Sequence, residues 1–398
     1  MSSESSLARR IKRHVIGKTG EFFIVTSPGL EKLCYEELTA LPLSVKEATV
    51  MSGGVGFRGR LHDCYLANLS LRTASRILMR IATFRATNFK QLDQKLVDLP
   101  WELWLKPGQV LQIHTTALRS RLYHSTAISD RVREGVEIRL QPFPPEPESA
   151  DSPASPQQLF VRAADDRFTL SLDSSGDLLY RRGIKTHAGR APLRETLAAA
   201  ALKMAGYTGQ EPLIDPMCGS GTFSLEGAMM ADRIPPGFFR KFAFTDWPAF
   251  KPRQWAHMKK EAGQQILRPE ADMPPLIFAS DRDEAGCQAL EQTLARHGLS
   301  ARVRVSCRDF FDFSPADLTD RPGVVALNPP YGIRLGSGQE SRDLFQAICR
   351  HLRAEYRGWK IALIAPDKDL ARQLPFRVTR HPFRHGGLDL TLLTGKIR

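Results

Sequence analysis

Asn328-Pro329-Pro330-Tyr331 carries the densest chemistry in this sequence. It follows Val324-Val325-Ala326-Leu327, a short apolar run of the kind that forms a buried parallel strand. Neither proline can continue a strand ladder, and each restricts the residue before it, so the turn is stiff. It presents carbonyls without a competing N–H, one side-chain amide and one aromatic face. Those parts can hold a planar heterocycle by an exocyclic amine. The plainer reading of the same four residues is a strand followed by a proline-rich loop.

A second group precedes it. Asp215-Pro216-Met217-Cys218-Gly219-Ser220-Gly221-Thr222 joins a strand predicted over 212–215 to a helix predicted over 222–231, where open α/β sheets bind ligands. Gly219 and Gly221 permit close approach of a ligand to the backbone. A dinucleotide site would need a further glycine at 224, which is Ser, and no Gly-Lys-Ser/Thr triplet of a phosphate loop is present. An acid ahead of the glycines disfavours pyrophosphate and suits a cation, such as the sulfonium and ammonium of S-adenosylmethionine. The next strand end supplies Asp281, placed to accept from ribose hydroxyls, with Asp283 expected as a helix cap. The third supplies Asp309 and Phe310, suited to an adenine amine and ring. Each acid alone is more often a cap than a ligand. Glycine turn, acid, acid and Asn-Pro-Pro-Tyr at successive strand ends form a constellation.

These residues need a doubly wound sheet beneath them, and from about Asp177 the pattern supplies it. Strands predicted at 276–279, 302–306, 324–327, 360–364 and 388–393 alternate with helices at 192–205, 283–297 and 343–356. Upstream, a strand at 22–25, a helix after Ser27-Pro28-Gly29 and a return strand at 53–57 precede a second helix drawn through Leu66, Leu69, Ala74, Ile77, Leu78 and Ile81. A strand at 110–115, a helix at 126–140 and a hairpin at 159–162 and 168–172 follow. Pro142 to Pro156 is read as a solvated loop.

Length, at 398 residues, favours two or three domains, and the hydrophobic share of 42% describes a globular protein. The basic start at Arg9, Arg10, Lys12, Arg13 and Lys18 lacks a following apolar stretch, which argues against a secretory signal and reads as a flexible arm. No apolar run reaches membrane-spanning length. A net charge of +13 favours an anionic partner, most simply nucleic acid. The cysteines form no CxxC pair and the histidines no metal-ligand spacing, so reduced thiols, no metal site and a cytoplasmic location are expected.

Asp215–Phe223, Ala191–Ala199 and Asn328–Gly332 closely resemble segments of the bacterial THUMP-domain-containing 23S ribosomal RNA guanine-N2 methyltransferases, in the form with a single methyltransferase module. The similarity extends upstream through Gly53–Phe57 and the region from Leu170 to Gly183, covering nearly the whole chain. It implies an α/β fold: a flexible arm (1–19), a ferredoxin-like domain (20–68), a THUMP RNA-binding domain (69–176) and a Rossmann-like class I methyltransferase domain (177–398). It further implies that Asp215, Met217, Gly219, Gly221 and Thr222 line the methionine end of S-adenosylmethionine. Asp281 would hold the ribose and Asp309 with Phe310 the adenine, while Pro192, Glu195 and Thr196 would close the pocket. Asn328 and the Pro329 carbonyl would accept the target amine, with Pro330 stiffening the turn and Tyr331 stacking on a flipped base.

The expected partner is RNA, as 23S ribosomal RNA or an assembly intermediate. Alternatives are a transfer RNA guanine-N2 or nucleic-acid adenine-N6 methylase, and an RNA-binding assembly factor whose methyltransferase fold is idle. Arg181, Arg182 and Lys185, near the expected junction, are candidate phosphate contacts or part of a solvated linker, and Arg240 and Lys241, within the aromatic and basic stretch 233–255, are candidate RNA contacts. The competing reading packs those aromatics onto the catalytic domain. The sequence gives no reading of oligomeric state.

Overall fold

The computed structural model describes residues 2–44, 47–140, 156–185, 193–269, 273–330, 338–365, 374–385 and 388–398. The chain divides into two compact units: Met1–Thr26, Cys34–Leu179 and Arg240–Lys259 form one, and Ser27–Leu33, Tyr180–Phe239 and Lys260–Arg398 form the other.

In the first unit, Phe22 and Ile24 alternate inward along β1 (Gly20–Thr26), the period-two pattern of a half-buried strand. A sheet grows on both sides of it, from β2 (Glu47–Met51), β3 (Gly54–Gly59), β4 (Ala74–Arg85), β5 (Leu111–Leu118), β6 (Gln157–Ala164) and β7 (Arg167–Asp173). The order is β2-β3-β1-β4-β7-β6-β5, with only the β5–β6 pair parallel. One continuous sheet therefore crosses residue 68, where a domain boundary was expected.

Two readings of this region are corrected. Residues Ser2–Ile11 are not a loose arm but helix α1, continued by a wider turn to Ile16. Ile11 and Val15 are buried and Arg10 pairs with Glu102 at 2.8 Å, which holds the segment down. The helix drawn through Leu66 to Ile81 is in fact helix α3 (Leu61–Ser70; α2 is Glu31–Thr39) followed by the central strand β4. Apolar residues at 77 to 79 satisfy either period. Pairing of β4 with β1 on one side and β7 on the other selects the strand. The amphipathic helix α4 (Phe89–Asp98) was not anticipated, although Asn88 caps it by accepting from Gln91 N at 3.0 Å. Helix α5 (Ser125–Leu140) lies where the sequence placed it. The proline-rich loop falls almost wholly outside the described residues.

The second unit carries β8 (Leu213–Asp215), β9 (Ile277–Asp281), β10 (Val303–Cys307), β11 (Val324–Leu327), β12 (Lys360–Ala365), β13 (Val378–His385) and β14 (Leu388–Lys396). Their order is β10-β9-β8-β11-β12-β14-β13, parallel from β10 to β12 and antiparallel through β14 and β13. This is the doubly wound arrangement with its switch point between β8 and β11. Along β11, Val324 and Ala326 enter one core while Val325 and Leu327 enter the other, which explains the unbroken apolar run. Helices α6 (Glu195–Met204), α7 (Thr222–Ala231) and α9 (Glu284–His297) supply residues to the first core, and α10 (Gly338–Glu355) to the second. Helix α8 (Pro252–Gln264), whose residues to Lys259 belong to the first unit, was missed because Met258 is its single buried residue. Strand β13 was missed because Pro382 argues against a strand, and an edge strand tolerates it. Among the described residues, no helix is long and apolar enough to cross a membrane.

Candidate active site

Four parallel strands, β8 through β11, deliver their C-terminal ends to one cavity of about 860 Å³. After β8 the chain turns through Gly219 (φ 51°) and Gly221 (φ 69°), both in the left-handed region. A Cβ on Gly221 would lie 2.4 Å from Leu290 Cδ1, so the start of α7 can seat against α9 only with glycine there. A Cβ on Gly219 would meet nothing within 4 Å, because that position opens on the cavity. Met217 and Thr222 line the same wall.

Asp215 is buried and accepts from Ser224 N at 3.1 Å and Ser224 Oγ at 2.8 Å. Burial pushes its carboxyl up to about 7, against the Ser224 hydrogen bonds and with help from the Asp281 charge. Asp281 ends β9 and ties the first two strand ends together, accepting from Gly219 N at 2.8 Å and Asp283 N at 3.0 Å. Asp309 follows β10, accepts from Phe311 N at 3.0 Å and lies 3.5 Å from Arg282.

Phe310 lines the cavity with little open surface. It is buried, its ring packed edge-on to His351 at 4.6 Å, so it reaches the cavity wall from beneath. The adjoining Phe311, 39% exposed, offers the open aromatic face and was not anticipated.

At the end of β11, Asn328 and Pro330 line the cavity, while Pro329 between them is buried. The Asn328 Oδ1 atom is buried and has no hydrogen-bond partner among the described residues. A buried acceptor left unpaired costs about 1–3 kcal/mol, a cost that a donor on a ligand in the cavity would remove. Tyr331 and Pro192 lie outside the described residues.

Lys185 is the principal residue that the sequence did not place in the site. Its Nζ donates to Thr222 Oγ1 at 2.6 Å and lies 3.1 Å from Glu195 Oε1, on the cavity wall beside Ser220. Glu195 therefore acts on the pocket through Lys185, and Thr196 beside it is buried in α6. No local motif marks Lys185, which precedes the glycine turn by more than thirty residues.

These groups fit S-adenosylmethionine. Lys185 offers a cation, Asp215, Asp281 and Asp309 offer carboxyl groups, Gly219 leaves backbone exposed and Phe311 offers an aromatic face, the complement that a ligand with carboxylate, ammonium, ribose and adenine parts requires. The buried acceptor of Asn328 belongs to the same cavity.

The candidate RNA contacts divide. Arg182 is corrected: it is buried and its Nε donates to Glu226 Oε1 at 2.8 Å, so its guanidinium serves the interior of the second unit. Arg240 is corrected likewise. It donates to the carbonyls of Leu178 at 2.8 Å, Ser175 at 3.0 Å and Asp177 at 2.6 Å. Arg181 and Lys241 are exposed. The aromatics around Arg240 do pack internally, but within the first unit and not the catalytic domain. Phe244 stacks on Tyr65 with centroids 4.4 Å apart, Trp255 meets Phe244 edge-on at 5.1 Å, and Trp247 Nε1 donates to Gln157 Oε1 at 2.8 Å. Phe238 and Phe239 alone stay with the second unit, Phe239 against His297.

The family of RMKL-like methyltransferase domains matches residues 182–391, and the RlmL ferredoxin-like domain matches residues 21–78. A Synechocystis sp. protein named as a candidate RNA methyltransferase is 33% identical over 377 residues, covering 94% of this chain and 96% of its own. The ribosomal RNA large subunit methyltransferase K/L of Methylococcus capsulatus is 34% identical over 381 residues, covering 94% of this chain. The chain spans 51% of that relative and 53% of its counterpart from Syntrophotalea carbinolica, about half the length of each. A candidate methyltransferase crystallised with SAH superposes with a TM-score of 0.81 at 26% identity, covering 96% of this chain and 99% of its own. A Listeria monocytogenes protein described as a predicted N6-adenine-specific DNA methylase superposes at 0.80 with 26% identity, covering 95% of this chain and 96% of its own.

Proposed function

Because the chain belongs to the RMKL-like methyltransferase family, we propose that it transfers the methyl group of S-adenosylmethionine to the exocyclic N2 amine of a guanine in large-subunit ribosomal RNA. The observation that carries the amine assignment is the buried Asn328 Oδ1 at the end of β11, which has no partner among the described residues. When bound, the cofactor supplies an electrophilic methyl on a cationic sulfur. Every other part comes from the chain. Lys185, Asp215, Asp281 and Asp309 fix the two ends of the cofactor, with the Gly219 backbone between them.

An aromatic amine is a weak nucleophile because its lone pair is delocalised into the ring. Asn328 Oδ1 and the Pro329 carbonyl accept its two hydrogens in the geometry of a pyramidal nitrogen, which returns the lone pair to nitrogen. Holding that nitrogen in line with the methyl group converts a bimolecular encounter into an oriented one. The methylated amine is strongly acidic and releases its proton without a dedicated base. Tyr331 is proposed to stack on the base once it leaves its own stack or loop.

The large-subunit ribosomal substrate rests on the names of the K/L relatives. The RNA-recognising role of residues 69–176 rests on the whole-chain likeness and on the net charge of +13. A second reading, transfer to adenine N6, is favoured by the description of the Listeria neighbour, and the same two acceptors serve either amine. Total RNA incubated with the protein and a deuterium-methyl cofactor, digested and mapped by mass spectrometry, separates the readings. Label on N2-methylguanosine of large-subunit RNA is expected. Label on N6-methyladenosine would replace guanine with adenine, and cofactor binding without any labelled nucleoside would point to an idle fold.

A further inference from the structure

The cysteines that look scattered in the sequence include three that the fold gathers at the ends of β8, β9 and β10. Cys218 follows β8, Cys287 stands in the first turn of α9 after β9, and Cys307 is the last residue of β10. The three form a row in which Cys287 stands between the other two. Its Sγ reaches the carbonyl of Ser306, the residue before Cys307, while Cys307 Sγ lies 3.7 Å from the carbonyl of Arg282. Cys287 is close enough to both Cys218 and Cys307 for the thiols to influence one another. Cys287 Sγ also sits 3.7 Å from the carbonyls of both Asp281 and Ser306, bridging two strand ends. Cys218 and Cys287 are buried, whereas Cys307 is exposed, so the row runs from the cofactor cavity to the surface.

We propose that this row is a thiol–disulfide site, in which a peroxide oxidises Cys287 and the oxidised sulfur closes on Cys307. The Cys287 thiolate attacks one peroxide oxygen, the O–O bond breaks, and hydroxide leaves to become water, giving a sulfenic acid. The Cys307 sulfur then attacks the sulfenic sulfur, the S–O bond breaks, and a second water leaves with the thiol proton. The peroxide has gained two electrons and one S–S bond has formed, which a dithiol reductant reverses. The neighbouring Cys218 thiol holds the Cys287 thiol down at about 7 despite burial and the Asp281 charge, and the N-terminal turn of α9 favours the thiolate as well. Closure would shift two positions that frame the cavity, since Gly286 adjoins Cys287 and Asp309 lies just beyond Cys307.

The test uses the full chain treated with hydrogen peroxide and mapped by non-reducing peptide mass spectrometry. A Cys287–Cys307 cross-linked peptide that dithiothreitol removes is expected, and Cys287→Ser should abolish it. Cofactor affinity, measured by calorimetry, should fall at least tenfold on oxidation and recover on reduction, while Cys307→Ser keeps the affinity within about twofold under mild peroxide. That readout rests on the cofactor assignment, whereas the peptide map does not. Oxidation that yields only sulfinic or sulfonic acids, or a cross-link confined to Cys218, overturns the proposal. So does oxidation of Cys307 at the same rate in Cys287→Ser.

Discussion

The strand ends of the second unit and the stretch from Arg240 to Trp255 in the first were both rich in residues that could touch RNA or its cofactor. They turned out to be opposites. At the strand ends, polar groups converge on space: Gly219 opens outward, Lys185 and Asp281 line the wall, and Asn328 Oδ1 has no partner among the described residues. In the aromatic stretch, the groups converge on each other. Arg240 donates to carbonyls of residues 175 to 178, and Phe244, Tyr65 and Trp255 close a core. Composition does not separate a stacking surface from a core. Whether each polar group is already satisfied does.

Breaking the comparison from the core side gives the largest effect. Phe244→Ala should cost about 3–5 kcal/mol of stability, read from urea unfolding, because it empties the centre of an aromatic cluster. Lys241→Ala, exposed beside it, should leave the midpoint unchanged. A stable Phe244→Ala protein with weakened RNA binding would return the stretch to the RNA surface. For the same reason, deleting residues 20–176 is a poor probe of RNA recognition, since it removes Tyr65 and Gln157 from under Phe244 and Trp247.

From the cavity side, Asn328→Ala should lower methyl transfer by about 10²–10³-fold, by analogy with removal of a single preorganised transition-state hydrogen bond. Its cofactor affinity should stay within about twofold, so transfer assays and calorimetry together isolate the amine-binding role. Full activity would end the proposed mechanism. Asp281→Ala should weaken cofactor binding by roughly ten- to a hundredfold, the worth of charge-assisted hydrogen bonds at about 1.5–3 kcal/mol. Unchanged affinity would mean that Asp281 serves only to tie Gly219 to β9.

The smallest effect is on pH. With its folded value raised to about 7, Asp215 binds its proton more tightly in the native state than in the unfolded chain. Its stabilising contribution is therefore fully present below the unfolded value and is lost as pH rises through about 7. A cationic ligand reverses the preference by favouring the carboxylate. Cofactor affinity should then fall as pH drops below about 7, by up to tenfold per unit for one coupled proton. Asp215→Asn should flatten that part of the profile, measured calorimetrically in buffers of different ionisation enthalpy.

Much of the second unit was legible because its signals are local. The short strands 213–215 and 324–327, the glycine turn and Gly298 closing α9 each set backbone conformation within a few residues. β4 was not legible, since its apolar residues fit both periods until β1 and β7 flank them. Nor were α8 and β13, which bury too little apolar surface or carry a proline that only an edge permits.

By itself, then, the sequence determined the order of chemistry along the strand ends: glycine turn, Asp281, Asp309, Asn328. Each follows directly from a strand, and a parallel sheet brings successive ends to one edge. Only the tertiary structure decided where the long cationic side chains go. Lys185 turns to Thr222 and Glu195, Arg182 to Glu226 and Arg240 to the carbonyls near Leu178, partners that, Glu195 apart, lie far away in the chain. A flexible charged side chain carries no local signal of its target, and desolvation on folding makes the choice. The gathering of Cys218, Cys287 and Cys307 was hidden in the same way, because three adjacent strands, and no motif, bring the thiols together.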